Sequence, residues 1–272
     1  MQQTAIEFQT QDPNSKTKRV MELALGAGML QLGNGAEVWR VDDTINHICS
    51  AYGLENVDSF VLCHAIFLSA NDAKECVFSS VKHVPFSGVH LEIVSEVNSL
   101  SRKISAGMLS VADAEKELER IRKIQPISQW IRILAAGIGA GCFAYILGAN
   151  ILESIFSIII GILVYVLSSY MEEKKFYKLP RNMIGGAFIS VMAIVITRIP
   201  FFSHLNIDKM IVGGIMPLIP GVAFVNSIRD MANEDLISGT IRMIDTIMVF
   251  LYIAIGANTI LAFYYNMIGG LL

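Results

Sequence analysis

The chain has 272 residues, a formal net charge of −3 and 53% hydrophobic residues, with a mean hydropathy of +0.53. That is too apolar for an ordinary soluble domain and points to a membrane protein. The apolarity is uneven: residues 1–129 hold 12 basic and 16 acidic residues, whereas 130–272 hold only 9 and 8.

This asymmetry predicts an α+β cytoplasmic domain followed by an all-α polytopic membrane domain, with a boundary near Pro126. The expected divisions are 1–16 as a mobile tail, 17–125 as the α+β domain and 126–272 as the transmembrane helical domain. The start, MQQTAIEFQTQDPNSKTKR, is polar and has no apolar core of a secretory signal. Residues 1–129 are therefore expected in the cytoplasm, with the chain in the cytoplasmic (inner) membrane.

In chain order, Val20, Leu23, Ala24, Ala27 and Leu30 recur on one face and predict a helix over 17–33. Gly33-Asn34-Gly35 breaks it, and a second helix runs to about Ala51, with Gly53 as its C-terminal cap. The run VDSFVLCHAIFLSA, 57–70, reads as one buried strand. Asn71-Asp72 begins a turn, and ECVFSSVKHV, 75–84, reads as the returning strand. Helices are predicted over 88–106 and 111–124, the second opened by Ser110 and Asp113 as a capping box. On the second helix Glu37, Arg40 and Thr44 share a face, with Asp43 three residues after Arg40. A salt-bridged, solvated face is the simpler reading of this polar cluster. A cluster that contacts the membrane domain or a ligand is the alternative.

Five apolar segments of bilayer length follow, at about 130–149, 151–170, 182–199, 209–228 and 243–265. Only GANILES separates the first two, which predicts a tight helical hairpin. Basic loops alternate with poor ones: ERIRKIQPISQWIR, EEKKFYKLPR and the arginines around RDMANEDLISGTIR are expected inside. The N-terminus is then in and the C-terminus out. The small residues Ala135, Ala136, Gly137, Gly139, Ala140, Gly141, Gly148 and Gly161 suit close helix packing, or a helix that lines a pathway. Glu153 reads as an interfacial residue.

The fourth segment contains GGIMPLIPGVAFVNSIRDM, 213–231. Pro217 and Pro220 remove backbone donors, and Gly221 permits an abrupt change of direction. Broken backbone survives in a bilayer only inside protein or along a wet cavity, as in transporters. A simple proline kink is the competing reading. Asn226, Arg229 and Asp230 follow, then Arg242, Asp245 and Thr246 on one face of the fifth segment. Ionisable groups within spans are functional candidates by default. The candidate substrate pathway is thus Pro217, Pro220, Gly221, Asn226, Arg229, Asp230, Arg242 and Asp245, with Asp245 the leading single residue. An Arg–Asp clamp holding spans four and five together is the structural alternative.

No Walker loop, G-x-S-x-G elbow or H-E-x-x-H motif is present. Cys49, Cys63, Cys76 and Cys142 include no C-x-x-C pair and read as reduced, packed thiols. Cys63, His64, Cys76 and His83 match no zinc-ligand spacing, so no metal or cofactor is expected. A membrane-tethered enzyme built on Glu37, Arg40, Asp43 and His64 would lack a complete nucleophile–base set.

The run NGAEVWRVDDTINHICSAYGL, the strands and the L-S-x-x-D-A helix resemble the cytoplasmic domain of the threonine/serine exporter family. There the polar helix reads G-A-E-x-x-R-V-E-x-T; here Asp42, beside Asp43, replaces the glutamate. Pro220-Gly221, Asn226, Arg229-Asp230, then Ser238-Gly239 and Arg242 resemble its membrane motif. The resemblance implies a secondary transporter, not an enzyme, exporting small amino acids such as threonine and serine, with proton-coupled antiport. Because the chain stops after the fifth span, it resembles the longer subunit of a split, two-component system. A shorter membrane subunit, lipid and the small-molecule substrate are then the expected partners, with a homo-oligomer possible and nucleic acid excluded. Split members also include exporters of dicarboxylates such as succinate, and a ligand-sensing subunit is a third reading.

Overall fold

The computed structural model describes residues 16–71, 77–85 and 88–269. It divides into two compact units, Met1–Gln125 with Val222–Arg242, and Pro126–Gly221 with Met243–Leu272. The expected tail falls almost wholly outside the described residues, as do Asp72 and Cys76.

In the first unit α1 (Lys16–Gly33) is the central helix, with Val20, Ala24, Ala27 and Gln31 fully buried. Against it pack α2 (Val38–Ala51), α3 (Leu91–Ser105) and α4 (Val111–Arg122). Leu32, Ile45, Ile48, Ile66, Leu68, Leu100, Ile104 and Ile121 join in one core. Two helix ends follow the sequence signals directly. Gly53, at φ +80°, lets its own amide donate to Ser50 O and that of Leu54 to Cys49 O, which closes α2. The amide of Asp113 donates to Ser110 Oγ at 3.2 Å and opens α4.

The region 57–70 is not one strand. β1 (Glu55–Leu62) turns at Cys63-His64 into β2 (Ala65–Asn71), and β3 (Val77–His83) completes an antiparallel sheet in the order β1-β2-β3. Phe60 lies opposite Phe67, which lies opposite Val81. The reason is burial on one face: Val61, Ile66, Leu68 and Ala70 are buried while Phe60, Phe67 and Val81 are exposed. Fourteen residues in one strand would run about 46 Å, with nothing in so small a unit to pair along that length. Cys63-His64 carries no glycine, proline or asparagine, so the turn has no local signature.

The second unit is built from α5 (Gln129–Ile146), α6 (Ile151–Glu173), α7 (Lys178–Arg198), α8 (Ile207–Ile215) and most of α10 (Leu236–Gly269). Among the described residues four helices, α5, α6, α7 and α10, are long and apolar enough to cross a membrane. The fifth segment of that character is broken: α8 ends in a 3-10 turn at Met216–Leu218, and α9 (Gly221–Ala232) leaves at 66°. The break is therefore more than a mild kink. Apolar side chains such as Trp130, Ile146, Ile151 and Phe263 face outward, while Ser157, Ser190, Asn182 and Glu153 are buried. That inverted pattern suits a lipid surround.

Small residues set the packing. A Cβ at Gly161 would lie 2.5 Å from that of Ala140, and one at Gly213 2.6 Å from that of Ala144. This supports the packing reading of the small-residue face. The α5–α6 hairpin is closed by Asn150 and Glu153 as a reciprocal capping box, each side chain accepting the other's amide at 2.8 Å. Glu153 is 3% exposed, and its second oxygen accepts the amide of Asn206 at 2.9 Å.

The tightest approach joins α7 and α10. A methyl at Gly256 would overlap the carbonyl oxygen of Met183, and one at Gly186 that of Ile253. Overpacking of this kind costs about 1–3 kcal/mol even where side chains can yield, and backbone cannot. Gly256→Val is expected to lower the thermal unfolding midpoint of the detergent-purified chain by several degrees or abolish its accumulation in membranes. Gly139→Ala, which meets nothing within 4 Å, should leave the midpoint unchanged.

Candidate functional site: a carboxylate latch and a polar cavity

Between α1 and α2 the chain turns through Asn34, Gly35, Ala36 and Glu37. Gly35 has φ +91°, a region that L side chains avoid. The turn presents two carbonyls and the open N-terminus of α2. Glu37 occupies the cap position of α2 but makes no side-chain cap bond. The cap comes instead from 192 residues away: the Val38 amide donates to Asp230 Oδ1 at 3.0 Å. A carboxylate there meets unsatisfied amides and the positive end of the helix dipole.

Four side chains from α9 and the start of α10 complete the arrangement. Asn226 Nδ2 donates to Gly35 O at 2.8 Å. Arg242 Nη1 donates to Ala36 O at 3.2 Å and to Asp230 Oδ2 at 3.0 Å. Arg229 Nη1 donates to Glu37 Oε1 at 2.7 Å, and Arg40 Nε to Glu37 Oε2 at 2.8 Å. Asp230 is fully buried and Asn226 is 7% exposed. Gly239 brings α10 against α9, because a Cβ there would lie 2.9 Å from Ser227 O. All these residues belong to the first unit.

The solvated face expected of α2 is absent, since Glu37 and Thr44 are buried. Asp43 stays exposed and pairs with His47. The carboxyl of Glu37 lies below the ordinary 4.5: burial would push it up, but its own backbone amide, Arg229 and Arg40 outweigh that. Burial raises the Cys63 thiol, and pushes the Cys49 thiol up to about 12, so neither supplies a thiolate. Among the described residues no three His, Cys, Asp or Glu side chains converge to hold a metal.

The remaining pathway candidates lie elsewhere. An Arg–Asp clamp does join the two segments, but as Arg242–Asp230. Asp245, expected on the Arg242 face, pairs with Lys178 at 2.8 Å, and both are more than half exposed. Pro217 sits in the 3-10 turn, Pro220 is half-buried, and Gly221 opens α9 with an exposed face.

Sequence reading missed a second feature. A cavity of about 350 Å³ in the second unit is lined by Gln129, Arg132, Tyr165, Ser168, Ser169, Glu172, Glu173, Arg181, Asn182, Pro217 and Leu218. It adjoins the broken segment through Pro217 and Leu218. Arg132 and Arg181 entered the sequence reading only as loop charges, although Arg181, immediately after Pro180, lies in the first turn of α7.

Several lipid-length apolar helices with one broken segment define a multi-pass membrane protein. The chain belongs to the threonine/serine exporter family: the family model described as "Putative threonine/serine exporter" matches residues 22–264. It is thus a transporter and not an enzyme. The chain is 21% identical to the "Probable succinate transporter subunit YjjP" of Klebsiella aerogenes, over 85% of this chain and 89% of that one. The protein of the same name from Escherichia coli is also 21% identical, over 83% and 87%. A "Threonine/serine exporter" of Corynebacterium glutamicum is 24% identical over 86% of this chain but 49% of its own length. No solved structure matches the chain.

Removing one partner of a buried pair costs about 3–5 kcal/mol. Asp230→Ala should therefore lower unfolding stability by that order in denaturant titrations, while Asp230→Asn, which can still accept from Val38, should lose less. The depressed Glu37 carboxyl gives a second expectation. It adds stability above pH 4.5 that is lost as pH falls through its lower folded value. Glu37→Gln should flatten the acid limb of the melting-temperature profile.

Proposed function

We propose that this chain is the larger subunit of a two-component secondary exporter for small amino acids, threonine and serine among them. The observation that carries the reading is the apolar segment broken by 66° at Met216–Pro220, beside a polar cavity. A bilayer accepts such backbone where a solute passes. Residues 17–125 form its cytoplasmic domain and 126–272 its transmembrane domain, with the N-terminus in, the C-terminus out and the chain in the cytoplasmic membrane.

In this reading the substrate pathway runs past Pro217, Pro220 and Gly221, which act as the hinge. Asn226, Arg229, Asp230 and Arg242, held on the turn at Gly35–Val38, act as a latch on α9. Glu37 and Arg40 are the latch's receptor on α2, with Asp43 and Thr44 flanking it. Opening the latch frees α9. Export is driven by proton antiport, with Asp245 the leading carboxylate for coupling. A shorter membrane subunit supplies further spans, in keeping with the word subunit in two relatives' names. Those names also favour a second reading, export of a dicarboxylate such as succinate.

The test is efflux of preloaded labelled threonine, serine and succinate from cells lacking their own exporters. Such cells would express this chain alone or with a shorter membrane subunit of the same family. Amino-acid efflux that requires both proteins is expected, whereas succinate efflux alone would favour the second reading. Asp245→Asn should cut efflux at least tenfold in proteoliposomes under a proton gradient; an unchanged rate removes Asp245 from coupling.

A further inference from the structure

The cavity beside the broken segment has a definite chemical character. Its volume of about 350 Å³ lies within the roughly 300–1,000 Å³ of small-molecule sites. Arg181 reaches it from the first turn of α7, its side chain 19% exposed. Its Nη1 stands 3.2 Å from Glu172 Oε2, a loose pairing, because that glutamate side chain is 72% exposed. Its Nε is buried without a hydrogen-bond partner among the described residues. A buried guanidinium edge left without an acceptor is costly, and a carboxylate is the acceptor whose geometry fits it. Arg132 adds a second cation on the wall. Opposite charge is also present, since Glu172 and Glu173 line the same space.

We infer that this cavity binds the zwitterionic head of an α-amino acid, with Arg181 taking the carboxylate and the glutamates the ammonium. The inference rests on the exporter reading and narrows it. A dicarboxylate dianion would bring two negative charges to a lining whose two arginines are already matched by two glutamates, whereas a zwitterion adds no net charge. An amino acid finds a partner for each charge. The hydroxyls of Tyr165, Ser168 and Ser169 then remain for a hydroxylated side chain. Pro217 and Leu218 form the wall on the side of the broken segment, so a bound solute touches the part of the chain where the helix is interrupted.

The experiment is saturation binding of labelled threonine and of labelled succinate to the full-length protein, purified in detergent. Unlabelled serine, threoninol and N-acetylthreonine serve as competitors. Saturable threonine binding is expected, displaced by serine but weakly by threoninol, which lacks the carboxylate, or N-acetylthreonine, which lacks the ammonium. Arg181→Gln should weaken threonine binding at least tenfold and erase the preference for threonine over threoninol. Arg181→Lys should restore part of both. Glu173→Gln should weaken threonine and improve succinate. General damage would weaken all ligands alike and leave the preference intact. Wild-type affinity in Arg181→Gln, tighter binding of succinate than of threonine, or no binding of either overturns the inference. The efflux measurement separates these outcomes from failure of the exporter reading: amino-acid efflux with an unaltered Arg181→Gln affinity sinks the site alone.

Discussion

The Asp230 carboxylate does two jobs at once. It caps α2, whose own cap residue turns away, and it sits opposite Arg242 with no exposure to solvent. Burying a carboxylate is expensive unless every lone pair has a partner. Here one oxygen receives an amide and the other a guanidinium. The location of α9 and the first turns of α10 in the first unit, despite their distance along the chain, follows from that pairing and its neighbours.

The neighbours matter because they address backbone. Asn226 reads the carbonyl of Gly35, and Arg242 that of Ala36. Side-chain partners can drift by rotamer changes; a turn fixed by a glycine at φ +91° cannot. The cluster therefore recognises one backbone shape. Loss of that shape would strand several buried polar groups together, so the contact is cooperative and close to all-or-none.

The sequence made some of this legible and hid the rest for identifiable reasons. Helix ends at Ser110 and Gly53 carry their chemistry within five residues, and the structure has them where the residues say. Pro217 and Pro220 announced the break in the same local way. The strand over 57–70 was misread because Cys63-His64 turns without any residue typical of turns. The contacts of Asn226, Asp230 and Arg242 were illegible in principle: their partners are main-chain groups about 190 to 206 positions away, and a backbone amide has no letter. Arg181 was counted as a loop charge, since nothing in EEKKFYKLPR says which cation turns inward. The pairing of Asp245 with Lys178 joins two helices that only tertiary structure brings together.

The close approach of α7 and α10 at Gly186 and Gly256 limits how the second unit can deform. Where each glycine faces a carbonyl of the other helix, the axes approach more closely than side chains elsewhere permit. Axial sliding by a turn would bring a residue with a side chain into the place of Gly186 or Gly256, against the carbonyl that now faces it, and this opposes translation. Rocking about the contact point keeps each glycine opposite its carbonyl and meets no such clash. The seam between α7 and α10 thus behaves as a pivot, with one degree of freedom kept and one removed. Motion of the helices around the cavity has a natural fulcrum there, set by two hydrogen atoms where other residues would carry a side chain.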